Sequence, residues 1–107
     1  MRFICNAFSI NMLSNDDVSV VFRKLTEDDQ ILEMTEDAVC CIGHRDLLAV
    51  VQAQFPTIPN PKTDRPTVSV TRGDELLVAQ YRGPRLPEGT TQLPEGATIE
   101  WWYVHVG

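Results

Sequence analysis

The chain has 107 residues, which is enough for one domain with one modest core. Apolar residues make up 43% of it and charged residues 22%, and no apolar run approaches the roughly 18 residues of a membrane span. The net charge of −6 argues against a protein that binds duplex DNA non-specifically, because such proteins present a basic surface. The composition therefore predicts one globular domain without a membrane or duplex-DNA partner.

The opening segment and the cysteines predict a cytoplasmic location. Residues 1–6 contain neither an apolar signal segment nor a small-residue cleavage site. The three cysteines, Cys5, Cys40 and Cys41, lack the spacing of a disulfide framework or a zinc site. We expect them to pack as small buried side chains.

The N-terminal third of the chain predicts two strands and a helix. Residues 2–8 are typical of a buried strand, and a turn-rich stretch follows at 11–17. The alternating, β-branched run 18–23 predicts a second strand. Thr26 is typical of a helix cap, and the acidic residues after it suit the first turn of a short helix that ends near Met34.

Two helical segments are predicted on either side of a glycine. Residues 35–38, Thr-Glu-Asp-Ala, are typical of a cap for a turn that runs into Cys40, and Gly43 ends that segment. A helix is then expected from His44 to about Gln54, with the apolar stripe of a core-facing helix.

The second half of the chain is richer in loops and strands. All seven prolines lie between Pro56 and Pro94, so this region contains extended loops. Residues 67–70 and 75–81 predict two strands that form a hairpin through the turn at 72–74. A terminal aromatic strand is expected at 101–106.

The order of these elements predicts the fold class. Strands come first, helices follow and strands return, which indicates an α/β (mixed α+β) domain over residues 1–107, with a small mixed sheet flanked by helices. Leu-Pro-Glu-Gly occurs at 86–89 and again at 93–96. No longer self-similarity accompanies it, so we interpret the two copies as similar turns.

Polar residues interrupt the apolar opening strand and its exit: Asn6, Ser9 and Asn11. A buried polar side chain needs a hydrogen-bond partner. Asn6 is either a structural residue bonded to a neighbouring loop or, together with the other two, a contact to the ribose, base or phosphate of a nucleotide.

His44 is one of two histidines and begins a predicted helix directly after Gly43. A helix N-terminus offers unpaired backbone N–H groups and the positive end of the helix dipole to a phosphate. Histidine exchanges protons near neutral pH, and phosphate binding beside a proton donor is what phosphodiester cleavage requires. The alternative is a partly exposed helix residue without a chemical role. We interpret His105, in the terminal aromatic strand, as a structural or surface residue.

A second dense cluster is Arg82-Gly83-Pro84-Arg85-Leu86-Pro87-Glu88-Gly89, in a loop after a predicted strand. Two arginines in such a loop can bind phosphate oxygens in bidentate fashion, and Glu88 can orient Arg85 or His44. The alternative is an exposed Arg–Glu pair, which adds little stability.

Taken together, four segments resemble the viral anti-CRISPR ring nucleases of type III systems over nearly the whole chain. They are Asn-Ala-Phe-Ser-Ile-Asn-Met-Leu at 6–13, Ile-Gly-His at 42–44, Arg-Leu-Pro-Glu-Gly at 85–89 and Glu-Trp-Trp-Tyr at 100–103. The first block is the specific one. This family was first described as a domain of unknown function in archaeal viruses, and it has relatives in phages and bacteria.

The resemblance implies a small mixed sheet with helices, assembled as a homodimer in the cytoplasm, or in the host cytoplasm if the chain is viral. It implies binding of cyclic tetra-adenylate, the second messenger of type III CRISPR systems. The ring is cut into linear di-adenylates without a metal or other cofactor. No serine or cysteine nucleophile is needed, because a ribose 2′-hydroxyl of the substrate attacks its own phosphate.

The resemblance also implies roles for individual residues. His44 is the general acid, Glu88 is its helper and Arg85 binds the phosphate. The implied ligand contacts are Asn6, Ser9, Asn11, Arg65, Gln80 and Arg82. The segment from Gln80 to Arg85 is one residue longer than the usual pattern, so either Arg82 or Arg85 meets the scissile phosphate. Arg85 keeps the Arg-Leu-Pro-Glu-Gly context.

Two other classes of function fit the same residues. One is a sponge or sensor that binds a cyclic oligonucleotide without cutting it. The other is a structural protein of a virus or mobile element, in which the polar residues only satisfy buried hydrogen bonds.

Overall fold

The computed structural model describes residues 1–6, 10–12, 20–63, 66 and 68–107, and for residues 10–12 it describes the backbone alone. These residues form strands and helices in the order β1 (Arg2–Cys5), β2 (Ile10–Met12), β3 (Val20–Leu25), α1 (Asp28–Thr35), β4 (Val39–Cys41), α2 (Arg45–Gln54), β5 (Val68–Val70), β6 (Glu75–Arg82) and β7 (Thr98–Val106). None of the helices in these ranges is long and apolar enough to cross a membrane.

The main sheet is mixed and has five strands in the order β3-β7-β6-β1-β4. Strands β4 and β6 both pair with β1 in parallel. Strand β7 is antiparallel to β6 and to β3. A separate two-stranded sheet is formed by β2 and β5. This arrangement confirms the predicted class, a single α+β domain with a mixed sheet and two helices.

The two faces of the main sheet are covered by different layers, because successive side chains of a strand point to opposite faces. One face packs against both helices, and its cluster includes Ile4, Leu77 and Trp101. The other face packs against β5 through Val68 and Val70. Both helices therefore lie on one side of the sheet, and the small sheet covers the other.

Two predicted connections are wrong. The turn expected to run helically from 35 to Cys40 instead contains Asp37 with a φ of 58°, and the chain then enters β4. The strands at 68–70 and 75–82 do not form a hairpin, because β5 pairs with β2 while β6 pairs with β1 and β7. The turn at 71–74 instead carries the chain from one sheet to the other.

The boundaries of other elements also differ from the sequence prediction. The first helix is preceded by Glu27 rather than Thr26 as its N-cap, and no side chain caps it. Strand β7 begins at Thr98, three residues before the aromatic run. Part of the turn-rich stretch predicted at 11–17 is the end of β2, and 13–17 lie outside the described residues, as do positions 7–8 of the first predicted strand.

The three cysteines are buried, as the sequence predicts: Cys5, Cys40 and Cys41 are 0%, 2% and 5% exposed. Burial raises the pKa of the Cys5 thiol from its ordinary 9.0 to about 12, and the neighbouring Cys41 and Cys40 add to this shift. Burial likewise raises the pKa of Cys40 and of Cys41. All three are therefore protonated at neutral pH in the folded protein.

We expect the native protein to react with Ellman's reagent at pH 8 far more slowly than the protein in guanidinium chloride, because the thiolate is the reactive form. The thiol of Cys5 would ionise near pH 9 in the unfolded chain and near 12 in the folded one. Its contribution to stability is therefore complete below pH 9 and is lost as the pH rises towards 12. Rapid labelling of any cysteine under native conditions would contradict this expectation.

Candidate active site

Three polar segments follow three neighbouring parallel strands at one edge of the sheet. Asn6 follows β1, residues 42–44 follow β4, and residues 83–89 follow β6. The carboxyl ends of parallel strands meet at the same edge, which is where ligands usually bind in open α/β sheets. The topology therefore brings together segments that are far apart in the sequence.

An open cavity of about 400 Å³ lies at this edge. Four of the residues singled out from the sequence line it: Asn6, His44, Gln80 and Arg85. Tyr81, Gly83 and apolar side chains, including Leu47, Ala79 and Leu86, form the remaining wall. The cavity thus combines an imidazole, a guanidinium and two carboxamides on an apolar base.

His44 is the N-cap of α2 rather than its first helical residue. Its backbone is extended, and its Nδ1 accepts a hydrogen bond from the N–H of Leu47 at 3.1 Å. An imidazole nitrogen accepts only through its lone pair, so the hydrogen of the neutral ring is on Nε2. The cap therefore determines both where the ring sits and which of its nitrogens carries the hydrogen.

Asn6 is buried and connects two of the three segments. Its Oδ1 accepts a hydrogen bond from the N–H of Gly43 at 3.1 Å, and its exposed fraction is 5%. This bond joins the end of β1 to the residue directly before His44. Asn6 thus makes the hydrogen bond to a neighbouring loop that its structural interpretation predicts, and it also lines the cavity.

The loop after β6 is attached to the rest of the domain at three points. The hydroxyl of Tyr81 donates to the carbonyl of Pro84. Leu86 is buried in the core cluster under the helices. The N–H of Gly89 donates to Oδ1 of Asp46, in the first turn of α2, at 3.3 Å. These contacts place Arg85 and Glu88 next to the helix that begins after His44.

The two Leu-Pro-Glu-Gly segments form similar turns, as predicted. The carbonyls of Pro87 and Pro94 accept hydrogen bonds from the N–H groups three residues later, at 3.2 and 3.0 Å. Gly89 and Gly96 have φ values of 77° and 81°, which glycine adopts more readily than other residues.

Gly83 has a different requirement. A Cβ at this position would lie 2.6 Å from the Cβ of Ala97, which directly precedes β7, so only glycine lets the start of the loop pass this close to Ala97. The path of the Arg85 loop therefore depends on this residue.

Arg82 and Arg85 have different surroundings. Nε of Arg82 lies 3.2 Å from Oε1 of Glu100, and Nζ of Lys24 lies 3.8 Å from the same oxygen. Desolvation raises the pKa of Glu100, but the two nearby cations outweigh this effect, so the pKa is lower than its ordinary value. Arg85 lines the cavity that contains His44, whereas Arg82 is not among the lining residues.

Glu88 does not line the His44 cavity. It lies in an adjoining depression of about 610 Å³, together with Arg45 and Asp46, and this depression shares Arg85 and Leu86 with the first. Arg85 and Leu86 are thus the residues common to the two linings.

The other predicted residues are placed as follows. Asn11 lies in β2 opposite Ser69, and nothing of its side chain is described; Ser9 and Arg65 lie outside the described residues. His105 is near the far end of β7, opposite Val21 and Glu75. In the ranges that are described, no three His, Cys, Asp or Glu side chains are grouped to hold a metal ion.

Sequence reasoning missed Asp46 and Tyr81, which fasten the loop. An aspartate in the first turn of a helix is ordinarily explained by the helix dipole, and a tyrosine in a strand by packing. No pattern in the sequence shows that Asp46 also contacts a loop 43 positions away, or that the hydroxyl of Tyr81 binds the carbonyl of Pro84.

The fold and the cavity define a small α+β protein with a polar site at the carboxyl edge of its parallel strands. No protein-family model matches the chain, and no curated protein matches it. Among solved structures it is similar to B116 of Sulfolobus turreted icosahedral virus, with a TM-score of 0.72 and 28% sequence identity over 97% of each chain. This similarity supports a relationship to archaeal-virus proteins.

Proposed function

We propose that this protein is a metal-independent ring nuclease, a phosphodiesterase that cuts cyclic tetra-adenylate into linear di-adenylates with 2′,3′-cyclic phosphate ends. The observation that carries the proposal is the cavity lined jointly by His44, Arg85, Asn6 and Gln80. A proton donor, a guanidinium and two carboxamides are the groups that bind and cleave a ribonucleotide phosphodiester. The substrate itself is proposed from the sequence resemblance.

The nucleophile in this mechanism belongs to the substrate. A ribose 2′-hydroxyl attacks the adjacent phosphorus, the bond from phosphorus to the 5′ oxygen breaks, and a 2′,3′-cyclic phosphate forms. The leaving 5′ oxygen takes a proton from Nε2 of His44 in its imidazolium form, and the 2′-hydroxyl proton passes to water or a nearby base. In this form Nδ1 also carries a hydrogen, so the cap bond from the N–H of Leu47 is open when the ring acts as an acid. General acid help of this kind contributes roughly 10²–10⁴ in rate.

Arg85 stabilises the charge that develops on the non-bridging phosphate oxygens. Glu88 lines the adjoining depression together with Arg85, and the sequence resemblance assigns it the role of helper to His44. The backbone N–H groups at the start of α2 add a favourable potential for the phosphate.

A homodimer suits a ring with its own two-fold symmetry. Each protomer would present one His44 to one of two opposite phosphates. The net charge of −6 does not favour long-range attraction of an anionic ligand, so affinity would depend on local arginines and amides.

Cleavage of the messenger would switch off type III CRISPR signalling. The similarity to B116, a Sulfolobus virus protein, favours a viral setting in the host cytoplasm, where the enzyme would suppress immunity. In a cellular locus the same reaction would reset it.

The test is incubation of the purified protein with cyclic tetra-adenylate in EDTA, followed by chromatography. Linear di-adenylate with cyclic phosphate ends supports the proposal. Intact ligand that co-elutes with the protein would overturn cleavage in favour of a sponge or sensor. Intact ligand without binding would overturn the substrate assignment as well.

A further inference from the structure

We propose that Asp46 is a positioning residue that keeps Glu88 in register with His44. This inference rests on the proposed function. The observation behind it is the hydrogen bond from the N–H of Gly89 to Oδ1 of Asp46, at 3.3 Å. It directly links the two chain segments that carry the proposed general acid and its helper.

The turn that carries Glu88 is closed within itself. The N–H of Thr90 donates to the carbonyl of Pro87 at 3.2 Å, so the residues from 87 to 90 form one hydrogen-bonded unit. The bond to Asp46 attaches this unit to the first turn of α2, two residues after His44. Because His44 is itself bonded to that turn through the N–H of Leu47, both groups are attached to the same turn of α2.

The position of the bond along the loop indicates which residue it serves. Leu86 is buried and divides the loop in two. Arg85 lies on one side of it, next to Pro84, whose carbonyl accepts from Tyr81. Glu88 lies on the other side, next to Gly89, whose N–H donates to Asp46. Loss of the Asp46 bond therefore frees the part of the loop that carries Glu88. The contacts on either side of Arg85, at Pro84 and at Leu86, stay intact. We expect a loss of turnover without a matching loss of ligand binding.

The competing explanation is that Asp46 only stabilises α2 through the helix dipole. Asp46→Asn separates the two, because the amide keeps an Oδ1 acceptor but has no charge. Asp29→Ala is the matched control: Asp29 is in the first turn of α1, and its side chain is exposed.

The experiment measures kcat and KM for cyclic tetra-adenylate with the full-length variants. We expect Asp46→Ala to lower kcat about five- to tenfold, the factor of one net hydrogen bond, with KM changed by less than about twofold. Asp46→Asn and Asp29→Ala should stay near the wild-type value. In a Glu88→Gln background, Asp46→Ala should add little, because the two residues act as a unit.

A second readout does not depend on activity. Hydrogen exchange of the peptide containing the Gly89 amide should be several-fold faster in Asp46→Ala than in Asp46→Asn, without ligand. Unchanged exchange, an equal kcat loss in Asp46→Asn, or a full additional loss in the Glu88→Gln background would each overturn the inference. If the wild type does not cleave the ring, the proposed function fails, and the exchange measurement still decides whether Asp46 holds this turn.

Discussion

Replacement of His44 by asparagine is expected to lower the rate of cyclic tetra-adenylate cleavage roughly 10²–10⁴-fold while the ligand still binds. Asparagine is a good N-cap and keeps α2 intact, but it has no proton to give to a leaving oxygen. Single-turnover cleavage and equilibrium binding, measured side by side, separate these two effects.

His44→Ala is the companion variant. It removes the acceptor for the N–H of Leu47 as well as the acid, so it should lose cleavage and also about 1 kcal/mol of stability. His105→Asn is the matched control, because it makes the same substitution at the other histidine. His105 lies opposite Glu75, far along β7 from the cavity. Cleavage by His44→Asn at the wild-type rate would remove His44 from the mechanism.

Replacement of Arg85 by alanine is expected to lower cleavage roughly 10²–10³-fold, the usual cost of losing one group that stabilises transition-state charge. Binding should weaken too, because Arg85 lines the cavity and so contacts the ligand before the reaction as well as in the transition state. Arg85→Lys should recover part of the binding and less of the rate, since an ammonium cannot form the paired contacts of a guanidinium. Rates and dissociation constants for the two variants test this.

Arg82→Ala distinguishes between the two arginines. Arg82 is paired with Glu100 outside the cavity, so its loss should reduce cleavage much less than the loss of Arg85. The opposite ranking would show that the longer segment between Gln80 and Arg85 shifts the phosphate contact to Arg82.

The direction of the strands brings the residues of this site together. Because β4, β1 and β6 are parallel, His44, Asn6 and Arg85 all follow the ends of neighbouring strands. The bond from Gly43 to Asn6 and the bond from Gly89 to Asp46 then join adjacent segments. Each group thus depends on its neighbour for its position, so we expect substitutions in this network to act non-additively.

Features with a local cause were predicted from the sequence. The periodic apolar stripe identified α2, and glycine at matching positions identified the two Leu-Pro-Glu-Gly turns. The buried cysteines and the α+β class followed from composition and element order. The sequence also singled out Asn6, His44, Gln80 and Arg85, which share one cavity; their chemical roles remain predictions.

Features with a distant cause were decided by the tertiary structure. Val39–Cys41 is a short apolar run without a period, and it becomes a strand because β1 offers an edge to pair with. Val68–Val70 leaves its neighbour β6 because its apolar face covers the second side of the main sheet. The separation of Glu88 from the His44 cavity and the contact of Asp46 with Gly89 have the same origin. Local periodicity and turn chemistry are written in adjacent residues, whereas strand pairing and loop attachment depend on which distant segments bury surface together.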